Sequence, residues 1–203
     1  MSTNTTIEWT DVTWNPVRGC SLVSAGCANC YAMKTAHRFS GNGKPYEGLT
    51  EIGPQGPRWN GKIRLIHDAL NEPRRWKAPR RIFVNSMSDL FHEDIPREFI
   101  KAVEGVTMDC PQHTFQILTK RPKRMLEFVR ECDFPPNVWL GVSCEDRATY
   151  KARVPYLAMT PAAVRFISFE PLLEDIGDLM LDGGGLRWRV SVGHSRGRKR
   201  TLS

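Results

Sequence analysis

Apolar positions along the chain fall into short runs separated by longer segments with helical spacing. Four runs rich in β-branched and aromatic residues predict strands at residues 82–87, 114–119, 138–143 and 164–169, and a fifth run at 188–192 could form another. Residues 96–108, 122–132 and 146–159 lie between them and predict helices. The first four strands begin 24 to 32 residues apart, as successive β-α units of a parallel sheet or barrel do. The pattern predicts the α/β class.

Residues 40–62 interrupt this alternation. They hold six glycines and three prolines, which predicts a long irregular excursion without a core of its own. Loops of this length are often functional. Further along, residues 74–81 place five basic side chains around Trp76. This segment could bind nucleic-acid phosphates while the indole stacks on a base, or it could be a solvated connector before a strand.

The 203 residues are enough for one core-bearing domain, and their formal net charge is +7. Six of the 29 basic residues and none of the 22 acidic ones lie after residue 186. We therefore predict a nearly neutral domain at 1–186 and a basic tail at 187–203. The tail is interpreted as a truncated or frameshifted end, and a disordered arm that touches nucleic acid is the alternative.

The N-terminal segment lacks the basic and then apolar layout of an export signal, and no apolar stretch is long enough to cross a membrane. We therefore expect a cytoplasmic protein with no membrane partner. Cytoplasmic thiols are kept reduced, so the six cysteines are expected to serve metal binding or catalysis rather than a disulfide framework.

Three cysteines, Cys20, Cys27 and Cys30, fall within eleven residues. Two cysteines separated by two residues can direct both sulfurs at one metal centre, and nearby glycines would let the chain turn to bring in the third. Structural zinc usually takes four protein ligands, and the cluster contains only these three. We predict an iron-sulfur site with an open coordination position. The alternatives are a zinc site completed by His92, and three unligated thiols in a loop.

Six ordered motifs resemble those of a known family, the phage-associated three-cysteine-motif proteins related to radical S-adenosylmethionine (SAM) enzymes. The resemblance covers about residues 7–181, and its motifs are EWTDVTWNPVRGC (8–20), GCANCY (26–31), FVNSMSDLF (83–91), LTKRP (118–122), WLGVS (139–143) and FISFEPL (166–172). The first two cysteines here are separated by six residues, whereas the commonest radical SAM spacing is three.

The resemblance implies a partial (β/α) barrel of the radical SAM type, truncated at its C-terminal end. It implies a 4Fe-4S cluster on Cys20, Cys27 and Cys30, with SAM chelating the fourth iron. Cleavage of SAM would then produce a 5′-deoxyadenosyl radical that abstracts a substrate hydrogen.

In such a barrel, ligand groups lie at the C-terminal ends of the strands, and those ends are polar in this sequence. The residues predicted to bind cofactor are Ser86, Ser88 and Asp89 at the end of the first predicted strand, Lys120 after the second, Ser143 and Glu145 at the end of the third, and Glu170 after the fourth. By similarity to related lyases, Lys120 is expected to bind the SAM carboxylate, and Ser143, Glu145 or Glu170 the ribose hydroxyls. The alternatives are a helix cap for the first three, a solvated loop lysine for Lys120, and an ion pair with Arg165 for Glu170.

We therefore predict a radical-SAM-like iron-sulfur enzyme acting on an unknown substrate, with nucleic acid as one candidate. A partner protein or reductant would supply the electron. The alternatives are a non-catalytic metal-binding or nucleic-acid-binding phage protein, and an inactive fragment.

Overall fold

The computed structural model describes residues 5, 7–132, 134–177 and 187–192. The strands are β1 (Val12–Trp14), β2 (Val17–Arg18), β3 (Thr50–Gly53), β4 (Gly56–Trp59), β5 (Arg64–Leu65), β6 (Arg81–Val84), β7 (Thr114–Thr119), β8 (Val138–Ser143), β9 (Val164–Phe169) and β10 (Arg187–Val192). The helices are α1 (Tyr31–Arg38), α2 (Arg97–Asp109), α3 (Pro122–Val129) and α4 (Arg147–Met159), and short 3-10 turns lie at Ala25–Asn29, His67–Asn71 and Pro73–Arg75. Within the described ranges, no helix combines the length and apolar character that crossing a lipid bilayer requires.

Six parallel strands form the main sheet, in the order β1-β6-β7-β8-β9-β10. Val12 lies opposite Ile82, which in turn lies opposite Phe115, so the strand ends are aligned across neighbours. Helices α2, α3 and α4 each connect one parallel strand to the next, as β-α units require. The sheet confirms the predicted α/β class, and its described strands form an open sheet.

The core lies between the sheet and these helices. Strand β9 is buried along its whole length, and β7 and β8 nearly so, as expected for strands covered on both faces. Helix α2 begins after Pro96 and places Ile100 and Val103 in the core, because residues three apart share one face of a helix. The helical spacing therefore predicted the three helices that connect these strands.

The excursion at residues 40–62 is more ordered than the sequence predicts. Strands β3 and β4 form an antiparallel hairpin. Leu49 and Trp59, at 3% and 5% exposure, pack against Ala32, Met33 and Ala36 of α1 in a second apolar cluster. The prediction of an irregular segment was wrong because these two large side chains complete a helix face that would otherwise be exposed.

Three strands of the main sheet differ from the prediction or add to it. Strand β1 has only three residues and was not predicted. Strand β6 ends at Val84 rather than continuing to residue 87, because Asn85 adopts a left-handed backbone conformation with φ of 60° and turns the chain. The run at 188–192 does form a strand, and Arg187–Val192, assigned to the basic tail, pairs with β9. The rest of that tail, from residue 193, lies outside the described residues.

Candidate functional site

A cavity of about 880 Å³ opens at the C-terminal ends of the parallel strands. Because the strands are parallel, the residues after each one meet at the same edge of the sheet. Nine of the ten predicted site residues line this cavity: Cys20, Cys27, Cys30, Ser86, Ser88, Asp89, Lys120, Ser143 and Glu170. The tenth, Glu145, does not. The volume of the cavity is within the range of small-molecule and cofactor sites.

The loop between β2 and α1 carries the three cysteines, and all three thiols are free. A 3-10 turn at Ala25–Asn29 holds Cys27, whose backbone N–H donates to the Ser24 carbonyl at 3.0 Å. The N–H of Cys30 donates in turn to the Cys27 carbonyl at 3.1 Å. This tight turn explains how two cysteines three positions apart reach the same cavity.

Burial disfavours the thiolate form of two of these cysteines. The pKa of Cys20 is raised to about 12, first by burial and then by the negative charge of Asp89. Burial also raises the pKa of Cys30, and the Lys120 ammonium partly opposes that shift. Both groups are therefore neutral thiols at pH 7 unless a cation displaces their protons, as thiolate-binding metals do.

No three His, Cys, Asp or Glu side chains among the described residues are grouped so as to hold a single metal ion. His92, the predicted zinc-completing residue, is 3% exposed. Its Nε2 lies 2.9 Å from the Ser21 hydroxyl, and its Nδ1 accepts the Asp94 N–H at 3.2 Å. Both ring nitrogens are thus engaged within the protein, so the structure offers no support for the zinc alternative.

A buried polar network fixes the loop next to Cys20. Arg121 donates from Nη2 to the Ser21 hydroxyl at 2.6 Å and from Nη1 to Asp89 at 3.0 Å. The Asp89 carboxylate also accepts from the Thr119 hydroxyl at 2.7 Å, the Lys120 N–H at 3.1 Å and the Phe91 N–H at 3.0 Å. With four donors, Asp89 ties together the residues after β6 and β7, although its side chain borders the cavity.

Glu145 lies behind the cavity, fully buried. One carboxylate oxygen pairs with Arg153 Nη1 of α4 at 2.8 Å, and the other accepts the Gly26 N–H at 3.3 Å. A Cβ on Gly26 would stand 3.0 Å from the Glu145 carboxyl carbon, so the small residue permits this close approach. Glu145 therefore supports the cysteine loop and does not face a ligand in the cavity.

The predicted serines border the cavity but make contacts within the protein. The Ser86 hydroxyl donates to Asn15 Oδ1 at 3.2 Å, and the Ser88 hydroxyl donates to the Val17 carbonyl at 3.0 Å. The Ser143 carbonyl accepts from Arg153 at 2.6 Å. These contacts join the residues after β6 to Asn15 and to β2, and join β8 to α4.

Lys120 and Glu170 bring opposite charges to the cavity from β7 and β9. Burial raises the pKa of the Glu170 carboxyl, and the Lys120 ammonium opposes that shift. Lys120 therefore acts electrostatically on both Cys30 and Glu170. This is a suitable position for binding a ligand carboxylate.

Several residues outside the predicted site set also line the cavity. Asn85 is 2% exposed, accepts the Val17 N–H on Oδ1 at 3.2 Å, and has no partner for Nδ2 among the described residues. Its polar side chain at the end of an apolar run was the available signal. Trp9 and Phe83, whose rings stand 4.7 Å apart, form an apolar wall. One side of α1, described below, forms another wall.

The basic segment at 74–81 lies away from this cavity, because it leads into the start of β6 and so lies at the N-terminal edge of the sheet. Arg74 pairs with Asp109 and Arg81 with Asp11. The Arg80 guanidinium lies 5.6 Å from the centre of the Trp76 ring. Three of its five basic side chains are thus engaged in contacts within the protein.

Solved structures of spore photoproduct lyase, a radical SAM enzyme, share this fold. A double mutant with bound AdoMet and dinucleoside spore photoproduct matches at 12% identity with a TM-score of 0.56, over 84% of this chain and 48% of that one. A single mutant matches at 11% identity with a TM-score of 0.54, over the same shares of the two chains. The chain therefore spans about half the length of these enzymes.

No curated protein sequence is significantly similar to this one. Phage association stays a prediction. A family described as a protein of unknown function, DUF5131, matches residues 4–203, which is nearly the whole sequence. The chain belongs to the DUF5131 family.

Proposed function

We propose that this chain is an iron-sulfur protein of the radical SAM type, with a 4Fe-4S cluster on Cys20, Cys27 and Cys30 and SAM in the adjoining cavity. The observation that carries the proposal is that these three free thiols line one cavity with Lys120 and Glu170. The fold shared with spore photoproduct lyase, one structure of which holds AdoMet, supports it. By the same likeness, the six parallel strands in chain order would correspond to a partial barrel.

The donor set fits a cluster with one free corner. Iron-sulfur clusters are held by cysteine thiolates, each on a separate iron, so three cysteines leave the fourth iron open. Among the described residues, no further cysteine lines the cavity. Cys144 is fully buried and does not line the cavity. Its position, behind the cavity wall, is therefore not that of a fourth ligand.

When bound and reduced by an external electron donor, the cluster would supply one electron that cleaves SAM into methionine and a 5′-deoxyadenosyl radical. That radical would abstract a substrate hydrogen, giving 5′-deoxyadenosine and a substrate radical. Lys120 would hold the SAM carboxylate by charge. Glu170 would accept a hydrogen bond from a ribose hydroxyl of SAM, and Ser143 would lie next to SAM. The Trp9 and Phe83 rings would exclude water from the reacting region.

Cluster assembly tests this proposal with cysteine variants. We expect anaerobic reconstitution of the full chain with iron and sulfide to give a brown protein with about four irons, the number in the cluster type proposed. Cys27→Ala should lose the visible absorption and most of the iron. Cys132→Ala is the matched control, because Cys132 follows α3 and does not line the cavity, and it should load like the parent chain.

Activity is then read as 5′-deoxyadenosine released after reduction with dithionite in the presence of SAM. Release by the parent chain and not by Cys27→Ala would support the radical SAM assignment. A colourless protein that holds one zinc ion, or equal iron loading in Cys27→Ala and the parent, would overturn it. The first of these outcomes would favour a non-catalytic metal-binding protein.

A further inference from the structure

Helix α1 has two chemically different sides. Ala32, Met33 and Ala36 are buried in the apolar cluster against the β3–β4 hairpin. A second stripe has the spacing i, i+3, i+4 and i+7, which places its side chains on one face of a helix. Its members, Tyr31, Lys34, Thr35 and Arg38, all line the cavity that holds the cysteines. We refer to these four residues as the α1 stripe.

The two cations of the α1 stripe have no acidic partner among the described residues. Some exposed arginines elsewhere are paired, as Arg58 is with Glu51 and Arg97 with Glu131, whereas the two cations of the α1 stripe share a cavity. Lys34 and Arg38 stand one helical turn apart, an arrangement in which like charges repel each other. Both side chains are exposed and turned to the cavity, so an anionic ligand would relieve this repulsion.

Tyr31 adds an aromatic surface to these charges. Its side chain is 53% exposed, and its hydroxyl donates to the Ser86 carbonyl at 3.0 Å. The hydrogen bond anchors the ring to the residue after β6 while a large part of the side chain stays accessible. A ring held in this way offers a stacking surface at low entropic cost.

We propose that the α1 stripe binds the substrate, and that this substrate carries a nucleobase and phosphate, with Tyr31 stacking on the base and Lys34 and Arg38 contacting phosphate. The inference rests on the proposed function, since it places the substrate in the cavity assigned to SAM. An aromatic platform beside a row of cations is the combination that binds single-stranded nucleic acid. A free nucleotide presents the same chemistry, and the test separates the two sources.

The experiment measures binding of a fluorescein-labelled 12-nucleotide single strand to the full chain by fluorescence anisotropy between 50 and 200 mM salt. The double variant Lys34→Gln/Arg38→Gln should bind about tenfold more weakly at the lowest salt. Its slope of log K against log salt should fall in magnitude by about 1.4, because each phosphate contact to a single strand contributes about 0.7. Tyr31→Leu should also weaken binding, whereas Tyr31→Phe keeps the ring and should retain it.

The matched control is Lys101→Gln/Lys123→Gln, which removes the same charge from exposed positions on α2 and α3 outside the cavity. It should bind as the parent does. Unlabelled AMP is tested as a competitor at concentrations similar to those at which the oligonucleotide binds. Displacement of the oligonucleotide would identify a free nucleotide as the ligand, and no displacement would identify single-stranded nucleic acid. Equal weakening in the control, or no binding of either probe by the parent, would overturn the inference.

Iron content, measured on the same preparations, separates this inference from the proposed function. The Lys34→Gln/Arg38→Gln variant should load iron as the parent does, because neither residue is a cluster ligand. The chain could bind the oligonucleotide through the α1 stripe and yet fail to hold a cluster. That result would overturn the proposed function and the placement of the substrate beside SAM. A different result would overturn this inference alone: the parent holds iron and cleaves SAM, but the Lys34→Gln/Arg38→Gln variant binds the oligonucleotide as tightly as the parent does.

Discussion

At the scale of single residues, the buried pair of Glu145 and Arg153 links α4 to the cysteine loop. Arg153 is 7% exposed and bonds both the Glu145 carboxylate and the Ser143 carbonyl. Removing one partner of a buried ion pair leaves the other charge without compensation. The position of the cysteine loop therefore depends on a carboxylate that does not reach the cavity.

We expect Glu145→Gln to lower the free energy of unfolding by about 3 to 5 kcal/mol, because the Arg153 charge would stay buried without a counter-charge. Urea denaturation of the parent and the variant measures the difference. The control is Glu131→Gln, which breaks the exposed pair with Arg97 and should cost under about 1 kcal/mol. Similar small losses in both variants would show that the buried pair does not hold the loop.

At the scale of elements, two glycines test the packing with opposite expected signs. A Cβ on Gly141 in β8 would stand 2.6 Å from the Phe166 ring of β9, whereas one on Gly105 in α2 would meet nothing within 4 Å. We expect Gly141→Ala to destabilise the protein by about 1 to 3 kcal/mol through overpacking. Gly105→Ala should stabilise it by about 0.5 to 1 kcal/mol by improving helix propensity.

Thermal unfolding of the two glycine variants gives the comparison directly. The parent melting temperature should lie between theirs. A Gly141→Ala protein that melts at or above the parent temperature would mean that Phe166 moves aside freely, which would contradict the tight contact between β8 and β9 described here.

The same elements show what the sequence could predict. Strands β7, β8 and β9 match their predicted bounds because each is a short run rich in β-branched and aromatic residues between polar segments. Strand β1 was missed because three residues carry too little pattern. The hairpin was missed because its order depends on Leu49 and Trp59 meeting α1, a contact between segments that no local pattern encodes.

At the scale of the whole molecule, parallel topology explains why the cavity lining was largely predictable. Residues at the C-terminal ends of parallel strands meet at one edge, and six of the seven residues predicted from strand ends line the cavity with the three cysteines. Glu145 differs because its partner Arg153 lies on a helix packed behind that edge. The α1 stripe was not predicted because its role depends on which side of the helix faces the cavity, and the β3–β4 hairpin determines that side.

Electron paramagnetic resonance of the reduced, reconstituted full chain, recorded with and without SAM, tests the central claim most directly. If Cys20, Cys27 and Cys30 leave one iron open to the cavity, SAM should change the g-values and line shape of the cluster signal. Methionine at the same concentration is the control for non-specific effects. A cluster signal that SAM leaves unchanged would contradict the account.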